Sequence, residues 1–164
     1  LSIGEKMPLE IERKFLVRDG WPRNTGGEPY RQGYLKQSGD PPTIRVRRAG
    51  GLAFLTIKSQ PAGLVRDEYE YRIPADHAEE MLASLCHHPL IEKVRHKVPH
   101  AGVVWEIDEF QGVNAGLVMA EVELHHPDQP FEKPEWIGAE VTGDPRYSNS
   151  ALSRHPYTTW VDAD

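Results

Sequence analysis

Apolar and polar positions alternate with a period of two along most of this chain. Ile11, Ile44, Val46, Ile57, Tyr69, Tyr71, Val94, Ile107, Val122 and Leu124 each fall between polar or charged neighbours, and Leu55 precedes the polar Thr56, which is the spacing of a half-buried strand. The pattern predicts strands near residues 9–18, 30–37, 43–49, 52–59, 65–73, 91–99, 103–110 and 117–125. Gly- and Pro-rich stretches such as 38–42 and 49–51 separate them as turns. Consecutive antiparallel pairing is the simplest topology for such a series.

One segment reads as a helix. Asp76 stands as N-cap with Glu79 three positions on, Ala78, Met81, Leu82 and Leu85 form an apolar stripe, and Pro89 ends it. Shorter helices are expected at 148–154, before Pro156, and around 129–133. The fold class is therefore mainly β, with a few peripheral helices.

The charges carry the functional information. Residues i and i+2 of a strand share a face, so Glu10, Glu12 and Lys14 lie together, as do Arg45 and Arg47. Lys58 shares the face of Thr56; Glu68, Glu70 and Arg72 align, and so do Lys93, Arg95 and Lys97. Glu106 pairs with Asp108, and Glu121 with Glu123. A solvated outer face would produce stripes as well, but would mix signs and neutral residues. Here like charges sit together on one strand and repel, so each stripe needs a counter-charge. About three helices are also too few to sheathe the apolar side of a flat eight-stranded sheet. A closed barrel with the ionic faces inward around a wet lumen resolves both difficulties.

Glu10, Glu12, Asp108, Glu121 and Glu123 would then offer hard oxygen donors suited to Mg²⁺ or Mn²⁺. Arg45, Arg47, Lys58, Lys93 and Arg95 would offer donors suited to phosphoryl oxygens. A triphosphate with its metal is the ligand that needs so many charges of both signs.

Composition narrows the alternatives. A chain of 164 residues with 38% hydrophobic content is expected to form one domain over 1–164. A net charge of −6 is the wrong sign for a general partner of nucleic acid or an anionic membrane. One cysteine, Cys86, excludes an internal disulfide framework and any Cys-only zinc site. With no long apolar run, a soluble cytoplasmic protein is expected, and Leu1 in the first position suggests a trimmed start. The adjacent pairs His87-His88 and His125-His126, and the unmatched His96 and His100, read as surface histidines. Cys86 reads as a buried helix residue and Met81 as core, and Phe131 and Trp136 as packing a loop against the barrel.

At Glu10-Ile11-Glu12-Arg13-Lys14 the chain resembles the ExExK signature of the triphosphate tunnel metalloenzymes, the superfamily of CYTH domains. The likeness continues through Arg31–Leu35, Ile44–Arg47, Thr56–Lys58, Asp67–Tyr71, Glu92–Arg95, Glu106–Phe110, Ala120–Glu123 and Gly143–Asn149. The resemblance implies a closed eight-stranded antiparallel barrel, a tunnel, with a helix from Arg146 through Arg154 plugging one end. By motif, Glu10, Glu12, Glu121 and Glu123 look like metal ligands, with Asp108 near a metal and Glu68 and Glu70 as acidic tunnel residues. Glu68 is a candidate ligand for a second metal. Lys14, Arg45, Arg47, Lys58, Lys93 and Arg95 look like phosphate clamps. Lys58, Lys93 and Glu70 are the candidates for activating water, and Tyr34 resembles a tyrosine that influences substrate choice.

The expected reaction is that of the small bacterial inorganic triphosphatases: Mg²⁺- or Mn²⁺-dependent hydrolysis of tripolyphosphate to pyrophosphate and phosphate. Three rivals stay open, namely a class IV adenylate cyclase, a thiamine triphosphatase and a noncatalytic polyphosphate-binding module. No base pocket is identifiable, Trp21, Trp105, Trp136 and Trp160 supply no obvious thiamine clamp, and pure anion capture would not need the paired carboxylates. A homodimer through the apolar outer strands is left open.

Overall fold

The protein is described by a computed structural model that covers residues 5–35 and 40–160, with side chains from residue 10 onward. Its strands are β1 (Glu5–Val17), β2 (Glu28–Tyr34), β3 (Thr43–Ala49), β4 (Leu52–Lys58), β5 (Val65–Arg72), β6 (Ile91–His100), β7 (Val103–Phe110), β8 (Val118–Glu123) and β9 (Ile137–Glu140). Helix α1 (Ala75–Ser84) follows β5, and the short α2 (Asn149–Arg154) closes the series.

Eight strands close into an antiparallel barrel in the order β5-β4-β3-β2-β6-β7-β8-β1, with β1 returning to β5. Closure depends on β1. One of its edges pairs first with β5, through Glu10↔Arg66 and Ile11↔Val65, and then with β9 at Phe15↔Glu140. The other edge pairs with β8 from Glu12↔Glu123 to Leu16↔Met119. Consecutive pairing is therefore corrected at two places: β1 does not pair with β2, nor β5 with β6, because the ring is closed by β1–β5, β1–β8 and β2–β6. A closed ring leaves no long unpaired edge.

Alternation places the two kinds of side chain on opposite sides of this wall, with the greasy side outward. Ile11, Phe15, Trp105, Ile107, Ala120 and Val122 form an outer core beneath the loop bearing Trp21 and the segment bearing Phe131 and Trp136. Trp105 meets Phe15, Phe131 and Trp136 edge-on, with centroids 5.6–6.1 Å apart. A second outer core joins Val46 and Ala53 to Ala78, Leu82 and Cys86 under α1. Gly33 permits the close fit there, since a Cβ on it would lie 2.8 Å from both Cys86 and Leu90. At one end of the lumen the inward positions turn apolar, and Tyr34, Ile91, Phe110 and Met119 pack with Leu152 of α2, which closes that end.

Several local expectations are corrected. The N-cap of α1 is Pro74, which makes no side-chain cap, and Asp76 lies inside the first turn. Glu79 does not cap either, because it is drawn outward by Arg31 and Arg48 at 3.0 and 2.8 Å. Leu85, expected in the buried stripe, is 51% exposed beyond the helix end. Residues 129–133 are irregular, held by turns and by Phe131 packing. His96 is not at the surface. It is buried on the outer face of β6, against Trp21 and bonded to Thr25 Oγ1 at 2.8 Å. The end of the expected second strand, at 36–37, and part of its turn lie outside the described residues. No helix among the described residues is long and apolar enough to cross a membrane.

Candidate functional site

The lumen is a cavity of about 670 Å³. Strand order alone divides its lining by sign. The arc β8–β1–β5 contributes Glu121, Glu123, Glu10, Glu12, Glu68 and Glu70. The arc β4–β3–β2–β6, across the ring, contributes Lys58, Arg45, Arg47, Lys93 and Arg95. Lys14 and Arg66 stand among the acids and Glu106 beside the bases. Every residue expected to bind phosphate or metal lines this cavity except Asp108.

Asp108 is buried behind the lining, and both of its oxygens are engaged. Arg95 donates to it through Nε at 2.8 Å and Nη2 at 2.9 Å, and Lys93 Nζ donates at 2.7 Å. These bonds follow from register, since Arg95 faces Asp108 directly across β6 and β7. Burial pushes the Asp108 carboxyl up, but Arg95 and Lys93 outweigh it and hold the group far below the usual carboxylate range. Asp108 thus orders two cations instead of standing open at the lumen.

Burial pulls Lys93 down to about 7; Arg95 and Arg47 add to this while Asp108 opposes it. Arg47 is lowered to about 10 by burial and by Arg45 and Arg95. Arg45 donates to Thr56 Oγ1 at 3.2 Å, and its buried Nε has no hydrogen-bond partner. Cations crowded this way, one with an orphaned donor, form a wall that an oxyanion would satisfy.

The acidic arc is crowded in the same manner. Register sets Glu12 directly across from Glu123, and Glu106 across from Glu121, an arrangement that repels. Burial, Glu121 and Glu10 push the Glu12 carboxyl well above its ordinary value. Glu68 is raised to about 7 by burial and by the neighbouring Glu10. Glu123 is raised by burial and by Glu10 and Glu106. Two carboxylates are instead relieved by lysines. Lys58 lies 2.9 Å from Glu10, and Lys14 lies 3.6 Å from Glu121. Burial raises both carboxyls, but Lys58 and Arg66 hold Glu10 at about 2, and Lys14 and Arg95 hold Glu121 at about 2. Hard oxygen donors under mutual repulsion fit a divalent cation such as Mg²⁺ or Mn²⁺. Among the described residues, however, no three of these groups already stand as a closed coordination set.

Charge stripes did not reveal every residue at the site. Arg66, which approaches Glu10 at 3.7 Å, has the parity of Glu68 and Glu70 and was legible in principle. Gln32 and the Asp144–Arg154 segment carry no comparable signal, yet Asp144, Ser148, Asn149 and Arg154 line the cavity. Among the described residues the cavity lining has a single aromatic side chain, Tyr34. Trp21, Trp105 and Trp136 belong to the outer core, and Trp160 packs on Tyr147 and Tyr157.

Similarity to known proteins points the same way. An inorganic triphosphatase of Acetivibrio thermocellus is 49% identical over 157 residues, covering 95% of this chain and all of the relative. One from Nitrosomonas europaea is 41% identical over 148 residues, covering 88% and 96%. A solved structure of an inorganic triphosphatase superposes with a TM-score of 0.66 at 37% identity, covering 88% of this chain and 97% of that one. The CYTH domain profile matches residues 8–154. With its charges turned inward around a closed eight-stranded lumen, this chain belongs to the CYTH domain family.

Proposed function

We propose that the protein hydrolyses inorganic triphosphate to pyrophosphate and phosphate with the help of a divalent cation. The observation that carries the reading is the division of one cavity into a cationic arc facing a carboxylate arc, with Tyr34 as its single aromatic side chain among the described residues. Such a space suits a chain of phosphoryl groups and offers no platform for stacking a nucleobase or thiamine ring. The names of the relatives support the same substrate.

Arg45, Arg47, Lys93 and Arg95 bind the phosphoryl oxygens, with Asp108 holding the last two in place. Lys14 and Lys58 are shared between substrate and carboxylates. Glu10, Glu12, Glu121 and Glu123 would hold Mg²⁺ or Mn²⁺, with Glu68 beside them; the ion would offset charge on the phosphates and on the departing pyrophosphate. Water adds to a terminal phosphorus, the bridging P–O bond breaks, and pyrophosphate leaves with the electron pair. Glu70 and Lys93 lie in the lining as groups able to take a proton, and Lys93, pulled down to about 7, changes charge near neutrality. Tyr34 presents its hydroxyl at the closed end.

The test is a panel of tripolyphosphate, pyrophosphate, ATP and thiamine triphosphate, assayed for phosphate, pyrophosphate and cyclic nucleotide with divalent metal and with EDTA. Metal-dependent release of phosphate and pyrophosphate from tripolyphosphate is expected. Cyclic nucleotide from ATP, or no turnover of tripolyphosphate, would overturn the reading.

A further inference from the structure

β2 sits at the centre of the cationic arc, between β3 and β6, yet its inward residues Tyr30, Gln32 and Tyr34 are all uncharged. They organise the cations on either side. The guanidinium groups of Arg47 and Arg95 lie over the Tyr30 ring, 4.9 and 5.0 Å from its centroid. One step further in, Gln32 is fully buried and its amide makes three bonds. Its Oε1 accepts from Arg47 Nε at 2.7 Å, and its Nε2 donates to Tyr34 Oη at 3.1 Å and to Asn149 Oδ1 at 3.2 Å. Asn149 Oδ1 also accepts from Lys93 Nζ at 3.0 Å.

Arg47 fixes both amide orientations. A guanidinium can only donate, so Arg47 must face the Gln32 oxygen, which turns Gln32 Nε2 towards Asn149; that NH₂ in turn requires the Asn149 oxygen, which is then placed to accept from Lys93. Tyr34 Oη accepts from Gln32, so its own proton is left for another acceptor. Arg47, held by Nε, has its two terminal nitrogens as donors for a ligand. One uncharged side chain thereby sets the direction of a guanidinium, a phenol and, through Asn149, an ammonium.

We propose that Gln32 is a positioning residue for triphosphate, aiming Arg47 into the lumen and coupling the closing helix α2, through Asn149, to Lys93. This rests on the triphosphatase reading above. Hydrogen bonds to charged partners dominate the network, so its loss weakens ligand binding roughly tenfold to a hundredfold.

The test compares wild type with Gln32→Met, which keeps the length of the side chain but removes the amide, with Asn149→Ala and with the double variant. Tripolyphosphate binding is measured by calorimetry in EDTA, independently of turnover, and KM, kcat and Tm are measured alongside. The expected result is a Kd and KM raised about tenfold or more in each single variant, with kcat changed less than about threefold. The double variant should lose less than the product of the two single effects, because both cut one network. Should Gln32→Met fail to fold, Asn149→Ala alone carries the affinity test. Binding within twofold of wild type, or a lowered Tm with unchanged affinity, overturns the proposal and leaves the triphosphatase reading intact. A wild type that binds tripolyphosphate without hydrolysing it overturns the activity, and the variants still judge the network. A wild type that does neither overturns both.

Discussion

Replacing Asp108 by Asn tests the central electrostatic claim, that the cationic wall is held up from behind by one buried carboxylate. The change keeps the shape and one acceptor oxygen but removes the charge facing Arg95 Nε and Nη2 and Lys93 Nζ, now 2.7–2.9 Å away. Removing one partner of a buried ion pair costs about 3–5 kcal/mol. The lower end applies here because the amide oxygen still accepts from Arg95, and Lys93, already pulled down to about 7, can shed its proton once the carboxylate is gone. For a chain of this size about 3 kcal/mol corresponds to a fall in Tm of roughly 6–12 °C. Because the Asp108 carboxyl titrates far lower when folded than when unfolded, its contribution is fully present above the unfolded value of about 4 and is lost as pH falls. The share of the Tm gap that comes from the Asp108 charge should therefore persist from pH 5 to 8 and vanish in stronger acid. Asp144→Asn is the control, since that carboxylate pairs with an Arg146 side chain that is 63% exposed, and its Tm should be unchanged. If Asp108→Asn melts within about 2 °C of wild type at pH 7, the wall does not depend on this carboxylate.

Three further outcomes follow from the same structure. Glu68 sits at about 7 when folded, so its stabilising protonated state is present at low pH and lost as pH rises through 7. In EDTA, Glu68 should therefore contribute to wild type a loss of about 1–2 kcal/mol between pH 5 and 8 by urea unfolding, after allowance for solvent screening at a half-buried group. Glu68→Gln should remove most of that loss, and equal losses in the two proteins would contradict the assignment. Glu121→Gln should lower Mn²⁺ affinity at least about tenfold by calorimetry and turnover at least about a hundredfold, with an unchanged circular dichroism spectrum. Gly33→Ala places a Cβ 2.8 Å from Cys86 and Leu90 and should cost about 1–3 kcal/mol in urea unfolding, with KM for tripolyphosphate unchanged.

Much of this architecture was legible because a strand has a period of two and a charged lumen makes that period visible. β3 and β7 run over the expected residues, 43–49 and 103–110, since Arg45-Val46-Arg47 and Glu106-Ile107-Asp108 mark both faces at once. β9 was not legible, because Ile137–Glu140 is four residues long and Gly138 interrupts any alternation. Nor was the closure of β1 on β5 and β8, which depends on contacts between residues more than fifty positions apart. Candidate site residues emerged where they were charged, and their strand parity was enough. Asp108 shared that parity, but its withdrawal behind Lys93 and Arg95 depends on depth and register, which a stripe does not encode. Gln32 was missed for the opposite reason, since an uncharged amide looks the same in sequence whether it is solvated or bonded to Arg47. His96 was misplaced because its burial depends on Trp21 and Thr25 folding over it.

The strict in-and-out alternation also limits how such a protein can change. Deleting one residue within β3 would swing Val46 into the water-filled bore and press a guanidinium into the oily layer beneath α1. Ladder bonds to both neighbours would hold the rest of the strand where it was. Lengthening or shortening is therefore tolerable only at the hairpin tips, and diversification of such a lining must proceed by exchange of side chains at constant strand length.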